Sequence, residues 1–182
     1  MNRKRIIEMS AYTMIFLGLT VISPSIAKLI DHQYYPYPRL FSESPLTLLM
    51  GGSIALIGFA LVIWTIVIFK TIGKGTPYPY LPPIELVISG PYRYSRNPMV
   101  AGGFLVLVGE AGIYQSPSLA VIAILFAVIL YGYIIFFEEP VLKDRFGARY
   151  EKYINTVPRL LPNPLISKRQ RLKTSNKINR DV

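Results

Sequence analysis

Residues 46–69 read LTLLMGGSIALIGFALVIWTIVIF, and no side chain between Glu43 and Lys70 carries a charge. A bilayer's hydrocarbon core is ~30 Å thick and is crossed by about 20 apolar residues in a helix, so this stretch predicts a membrane span from about Leu46 to Phe69. Gly51, Gly52, Gly58 and Ala60 give it small positions against which a second helix fits closely. Two more blocks are built alike. No formal charge falls between Glu8 and Lys28, and only Glu110 interrupts the run from Arg96 to Glu138. With 52% hydrophobic residues and a mean hydropathy of +0.38 over 182 residues, the chain is long enough for one domain and too apolar for an ordinary soluble one.

Working outward, the first block predicts a helix from Ile6 to Ile30, which Pro24 should kink or end near the outer surface. It lacks a small-x-small cleavage pattern, so it is read as a span and not a signal peptide. The sequence HQYYPYP at 32–38 suits an interfacial loop, since tyrosines favour the boundary between water and lipid. From Thr71 to Pro98 the density of proline and glycine forbids a spanning helix and predicts a loop. Asn97 as N-cap and Pro98 at the first helical position start a third helix, which reaches about Tyr114 and is short for a full crossing. A turn at Ser116-Pro117-Ser118 makes it a hairpin with a fourth helix, Leu119 to Phe137. Past Glu138-Glu139-Pro140 the composition becomes mixed, and Leu142, Phe146, Tyr150 and Tyr153 recur at helical spacing. They predict a C-terminal amphipathic cytosolic helix that lies on the membrane or caps a site. The fold class is therefore all-α integral membrane with four transmembrane helices. Residues 1–165 form one domain with its core at 70–164, and 166–182 form a basic, disordered tail.

The formal charge of +10 is concentrated at block ends: Arg3, Lys4 and Arg5, then Lys70, Lys74, Arg93 and Arg96, then a tail running from Lys168 to Arg180. The connections after the first block and after Tyr114 hold almost no positive charge, so both termini and the central loop are expected in the cytosol. Nucleic acid is not an expected partner. Beside a membrane domain, a basic tail fits anionic lipid better. No cysteine is present and His32 is the sole histidine, which excludes disulfides and thiolate sites and leaves no expected metal centre. Glu110 lies near the outer end of its block and is expected to snorkel there.

The chemistry gathers in two places. LVISGPYRYSRNPM occupies 86–99, and about forty residues later come Glu138-Glu139, then Phe146-Gly147, Tyr150, Tyr153 and Val157-Pro158-Arg159. Over about half the chain this pattern resembles the isoprenylcysteine carboxyl methyltransferases and their relatives, the phospholipid N-methyltransferases. The resemblance implies that the Arg96-Asn97-Pro98 element and the paired Glu138 and Glu139 bind S-adenosylmethionine at the cytosolic face, with Arg96 and Glu139 as the catalytic pair. It extends the cofactor site to Gly90, Tyr92 and Arg93. Val100 stands where the family often has tyrosine.

The residue types suit that donor. Arg93 or Arg96 can take its carboxylate, helped by the free N–H groups opening the third helix. Glu138 or Glu139 can accept from its amino group or ribose, and Tyr92 and Tyr94 can pack on adenine or the sulfonium. The expected acceptor is a lipid or lipid-linked molecule, bearing an isoprenylcysteine-type carboxylate or a phospholipid amine. Two other classes compete: a membrane reductase of the sterol-reductase type using a nicotinamide cofactor, and a non-catalytic membrane component or transporter built around Glu110.

Overall fold

The computed structural model describes residues 3–34, 44–74 and 83–160, and within them every regular element is helical. Most of the aromatic segment at 32–38, part of the central loop and the tail at 166–182 lie outside the described residues. Three helices are long and apolar enough to cross a membrane: Tyr12–Gln33, Pro45–Thr71 and Pro117–Phe146. Pro98–Tyr114 is a shorter apolar helix of 17 residues.

The first helix does not end at Pro24. It runs as α1 (Arg3–Leu17), one π turn (Gly18–Ile22) and α2 (Ser23–Tyr34). Proline has no N–H to give and its ring crowds the carbonyl four residues back. The widened turn makes room, with Ser23 N–H reaching Gly18 O, while the Ser23 hydroxyl donates to the Leu19 carbonyl at 2.8 Å. Asp31, near the end of α2, then caps the fourth long element. Its carboxylate accepts from the Ser118 N–H at 3.1 Å and from the Ser116 hydroxyl, at the positive end of a helix dipole.

Helix α3 (Pro45–Thr71) opens on a reciprocal Ser44–Thr47 capping box with Pro45 at its first position. Helix α4 (Pro98–Tyr114) packs antiparallel along it, and the closeness comes from glycine. A Cβ built on Gly58 would stand 2.6 Å from Gly102 O, and one on Gly109 would stand 2.6 Å from Gly51 O. Ala60 is exposed and a Cβ on Gly52 would meet nothing, so only part of the expected small-residue set forms the contact; the buried Ala55 supplies the rest. Gln115 in the left-handed conformation turns the chain into α5 (Pro117–Tyr133), which packs beside α4 as expected of the hairpin. A core of Leu19, Ala27, Val106, Leu107, Ala111, Leu119 and Ala123 joins the first helix to α4 and α5.

Glu110 does not snorkel. It is 8% exposed, two turns beyond Gly103 and so on the α4 face turned toward Leu19 and Phe126, and its Oε2 is buried with no hydrogen-bond partner among the described residues. An unsatisfied buried acceptor costs roughly 1–3 kcal/mol. Glu110→Leu should therefore raise the unfolding midpoint in detergent while leaving donor binding unchanged. A variant that lost its function while remaining folded would favour the transporter reading.

At the far end of α5 a second π turn, Ile134–Glu138, precedes Pro140 as the first precedes Pro24. In place of one amphipathic helix, the chain forms two short ones, α6 (Glu139–Phe146) and α7 (Ala148–Ile154), divided at Gly147 with φ +51°. Their apolar stripe turns inward, packing Leu142, Phe146, Tyr150 and Tyr153 with Leu86 and Val157 into a cap over the central loop.

Candidate active site

The central loop re-enters the bundle at Gly90, whose φ of +58° favours glycine. A Cβ there would also collide with Ile68 Cδ1, so Gly90 serves the turn and its packing on α3. A 3₁₀ turn (Gly90–Arg93) then buries Tyr92 edge-on against Phe69, with ring centroids 5.5 Å apart. Tyr92 is a wall of the loop, and its carbonyl accepts a 2.7 Å hydrogen bond from the Tyr153 hydroxyl of the cap. Burial pushes the hydroxyls of Tyr92 and Tyr153 well up and that of Tyr150 to about 12, so all three stay neutral donors. Arg93 and Tyr94 point outward, Tyr94 with 51% exposure.

The next three residues are pinned by the C-terminal segment. The Arg96 N–H donates to Pro158 O at 2.8 Å. The Arg159 carbonyl receives the Asn97 N–H at 3.0 Å, the Asn97 side-chain amide at 3.1 Å and the Ser95 hydroxyl at 3.1 Å. Asn97 occupies the N-cap position, as expected, yet its side chain makes no cap bond because it is committed to Arg159. The first N–H groups of α4 are thus left without a side-chain cap, and Pro98 begins the helix fully buried.

Glu139 meets this corner. Arg96 Nη1 donates to Glu139 Oε1 at 2.6 Å, although the two residues are 43 apart in sequence. Arg159 grips the same carboxylate with both arms of its fork, Nε to Oε1 at 2.8 Å and Nη2 to Oε2 at 3.0 Å. The side chains of Arg96 and Glu139 are 10% and 8% exposed, and that of Arg159 is 35% exposed. The π turn before Pro140 inserts one extra residue and so rotates α6 by about 100° relative to α5, which sets the direction of Glu139.

Two polar groups at this centre lack partners among the described residues. Arg96 Nε is buried without an acceptor, and the half-buried Glu138 carboxylate has no hydrogen bond or ion pair. A spare cationic donor beside a spare carboxylate is complementary to a zwitterion, and the amino-acid end of S-adenosylmethionine has that pattern. Sequence reasoning assigns Arg159 no role. Its place after Val157-Pro158 is visible, but nothing local reports that one residue ties two distant elements through both its carbonyl and its side chain.

A bundle of apolar helices, three of them long enough to cross a bilayer, with a buried arginine–glutamate cluster at one end defines a membrane protein with a charged site. No curated protein matches the chain. A family model described as phospholipid methyltransferase matches residues 46–149, from the start of α3 into α7, and the chain belongs to that family. It is thus a membrane methyltransferase with a lipid substrate, and the nicotinamide reductase reading is not favoured.

Proposed function

We propose that the protein transfers a methyl group from S-adenosylmethionine to the amine head of a phospholipid-like acceptor at the cytosolic face of the bilayer. The observation that carries this reading is the cluster of Arg96, Glu139 and Arg159 with its unsatisfied Arg96 Nε, next to the half-buried Glu138. Membership of the phospholipid methyltransferase family supports it and favours the amine over an isoprenylcysteine-type carboxylate. We take α4 as a fourth, tilted or thinned crossing paired with α5, residues 1–165 as one catalytic domain, and the end bearing Arg96 and Glu139 as cytosolic by the positive-inside rule.

When bound, S-adenosylmethionine supplies a methyl group on a sulfonium already activated for displacement. The chain's own tasks are orientation and dryness. Arg96 and Arg159 hold a carboxylate by charge-assisted hydrogen bonds, and the uncapped start of α4 favours the same anion. Glu139 is a positioning residue, since its lone pairs are spent on the two arginines. Glu138 pairs with the donor's amino group, and the proton that an ammonium head must lose before its nitrogen attacks passes to water at the membrane face. The α6–α7 cap excludes water over the loop.

Purified protein incubated with tritium-labelled S-adenosylmethionine and a total lipid extract should label an extractable lipid in its head group. Label on a carboxylate ester would keep the enzyme and change the acceptor. No transfer, together with no binding of S-adenosylhomocysteine, would remove the reading.

A further inference from the structure

Tyr131 lies on α5, eight residues before Glu139. The π turn between them adds one residue, so eight positions here complete the two turns that seven complete in a regular helix, and both residues share one face. Arg159 bridges that face. Its Nε and Nη2 are spent on Glu139, while its Nη1 donates to the Tyr131 hydroxyl across a long 3.5 Å, with the guanidinium carbon 5.9 Å from the centre of the ring. The phenol therefore accepts from a cation, and among the described residues nothing accepts the phenol's own hydrogen. Tyr131 is 39% exposed and stands two turns deeper along the span than Glu139. What is left over on the lipid side of the cluster is one O–H donor, polarised by a neighbouring arginine. Such a donor suits an anion.

From this arrangement we infer that Tyr131 determines specificity: its hydroxyl donates to the phosphodiester of the acceptor's head group as the lipid enters beside α5. The inference rests on the methyltransferase reading for the reaction and on the Arg159–Tyr131 pair for the phosphate. Charge supports it. Arg96 and Arg159 balance Glu138 and Glu139, so the four side chains carry no net charge together. S-Adenosylmethionine, with a carboxylate, an ammonium and a sulfonium, brings one positive charge, and a phosphodiester brings the one negative charge that offsets it. An amine lipid without phosphate would leave that positive charge uncompensated where water is scarce. Depth supports it as well, since lipid phosphates lie where hydrocarbon meets water, the level that tyrosines favour. Two carbons separate the phosphate from the amine, so a head group held at Tyr131 extends its nitrogen toward the cluster.

A general preference of tyrosine for the membrane boundary accounts for many such residues. Tyr133 fits that account. It is 42% exposed, lies two residues on and so about 200° around the helix, and stacks on Phe137 with ring centroids 5.7 Å apart. It has the depth and exposure of Tyr131 without the arginine, which makes it the matched control.

The test uses the full chain in detergent micelles with two acceptors that share their tails: phosphatidylethanolamine, and a diacylated aminopropanediol that keeps the primary amine and lacks the phosphate. Tyr131→Phe should lower kcat/KM for phosphatidylethanolamine by on the order of tenfold, chiefly through KM, as expected for one hydrogen bond to a charged group. It should leave the phosphate-free amine and the affinity for S-adenosylhomocysteine within about twofold of wild type, and Tyr133→Phe should leave all three there. Equal losses on both lipids would make Tyr131 a structural support, and a fall in S-adenosylhomocysteine affinity would assign its hydroxyl to the donor. Either result overturns the inference. Displacement of a fluorescent-tailed phosphatidylethanolamine reads the same contact without methyl transfer. The wild type should be displaced better by the phospholipid than by the phosphate-free amine, Tyr131→Phe should lose that preference, and inorganic phosphate should displace nothing. Displacement by inorganic phosphate would make this a site for the free anion and overturn the lipid assignment. A preference that Tyr131→Phe erases in a protein that binds no S-adenosylhomocysteine ends the methyltransferase reading and keeps the phosphate contact, whereas methyl transfer with an unaltered preference ends the contact alone.

Discussion

Glu139→Ala is expected to weaken S-adenosylhomocysteine binding by on the order of a hundredfold and to lower stability in detergent by roughly 3–5 kcal/mol. Both effects have one origin. Glu139 accepts three charge-assisted hydrogen bonds, and alanine would leave Arg96, at 10% exposure, without its carboxylate partner and with Nε already unpaired. Removing one partner of a buried ion cluster costs far more than the cluster itself contributes. Glu139→Gln keeps one acceptor oxygen without the charge and should fall between wild type and alanine in both measurements.

Replacing Arg96, Glu139 and Arg159 together by leucine or methionine separates structure from function. That triple variant should recover most of the stability that Glu139→Ala loses, since well-packed apolar groups often substitute for a desolvated ion cluster at little cost. Its donor binding should remain absent. Wild-type affinity in Glu139→Ala would place the donor elsewhere, and a triple variant as unstable as the single one would show that the cluster is not a desolvated network.

The features legible in the sequence divide from the illegible ones along physical lines. Spans of apolar residues with charges only at their ends announce helices by composition, so α3, α5 and the α4–α5 turn can be placed from the sequence alone. Arg96 and Glu139 can be paired because a cationic corner and an acidic pair at the ends of a hairpin must emerge on one side of a bilayer. The failures sit where local pattern and tertiary contact disagree. The stripe from Leu142 to Tyr153 has one period throughout, yet Gly147 at φ +51° splits it, because the cap must fold back over Leu86 and Tyr92. Pro24 carries the sequence signature of a helix kink or end, and of the two the end does not occur, because a π turn and the Ser23 hydroxyl absorb its missing N–H. Tyr92 is packed on Phe69 and not free for stacking, while Asn97 gives up its capping role to Arg159. In each case the deciding partner lies far away in the chain, where periodicity carries no information.

The α3–α4 contact gives the second large effect, and Gly109 is its most sensitive point. In an exposed helix, alanine for glycine would stabilise by about 1 kcal/mol. At Gly109 the added Cβ would lie 2.5 Å from Ala55 N and 2.7 Å from Ala55 Cβ, and backbone on a neighbouring helix cannot move aside as a flexible side chain would. Overpacking of that kind costs typically about 1–3 kcal/mol and more for larger groups, so Gly109→Ala should lose stability despite its better propensity and Gly109→Leu should separate the helices. Between lipid-embedded helices close packing is itself the attraction, so no hydrophobic reserve offsets the loss. Because α4 also carries Asn97 and Pro98 at its start, donor binding should fall with the contact. Gly52→Ala is the matched control: its Cβ meets nothing within 4 Å, so it should be neutral or stabilising by up to about 1 kcal/mol. Thermal unfolding in detergent reads both variants, and equal midpoints for Gly109→Ala and Gly52→Ala would mean that α3 and α4 do not pack through their glycines in solution.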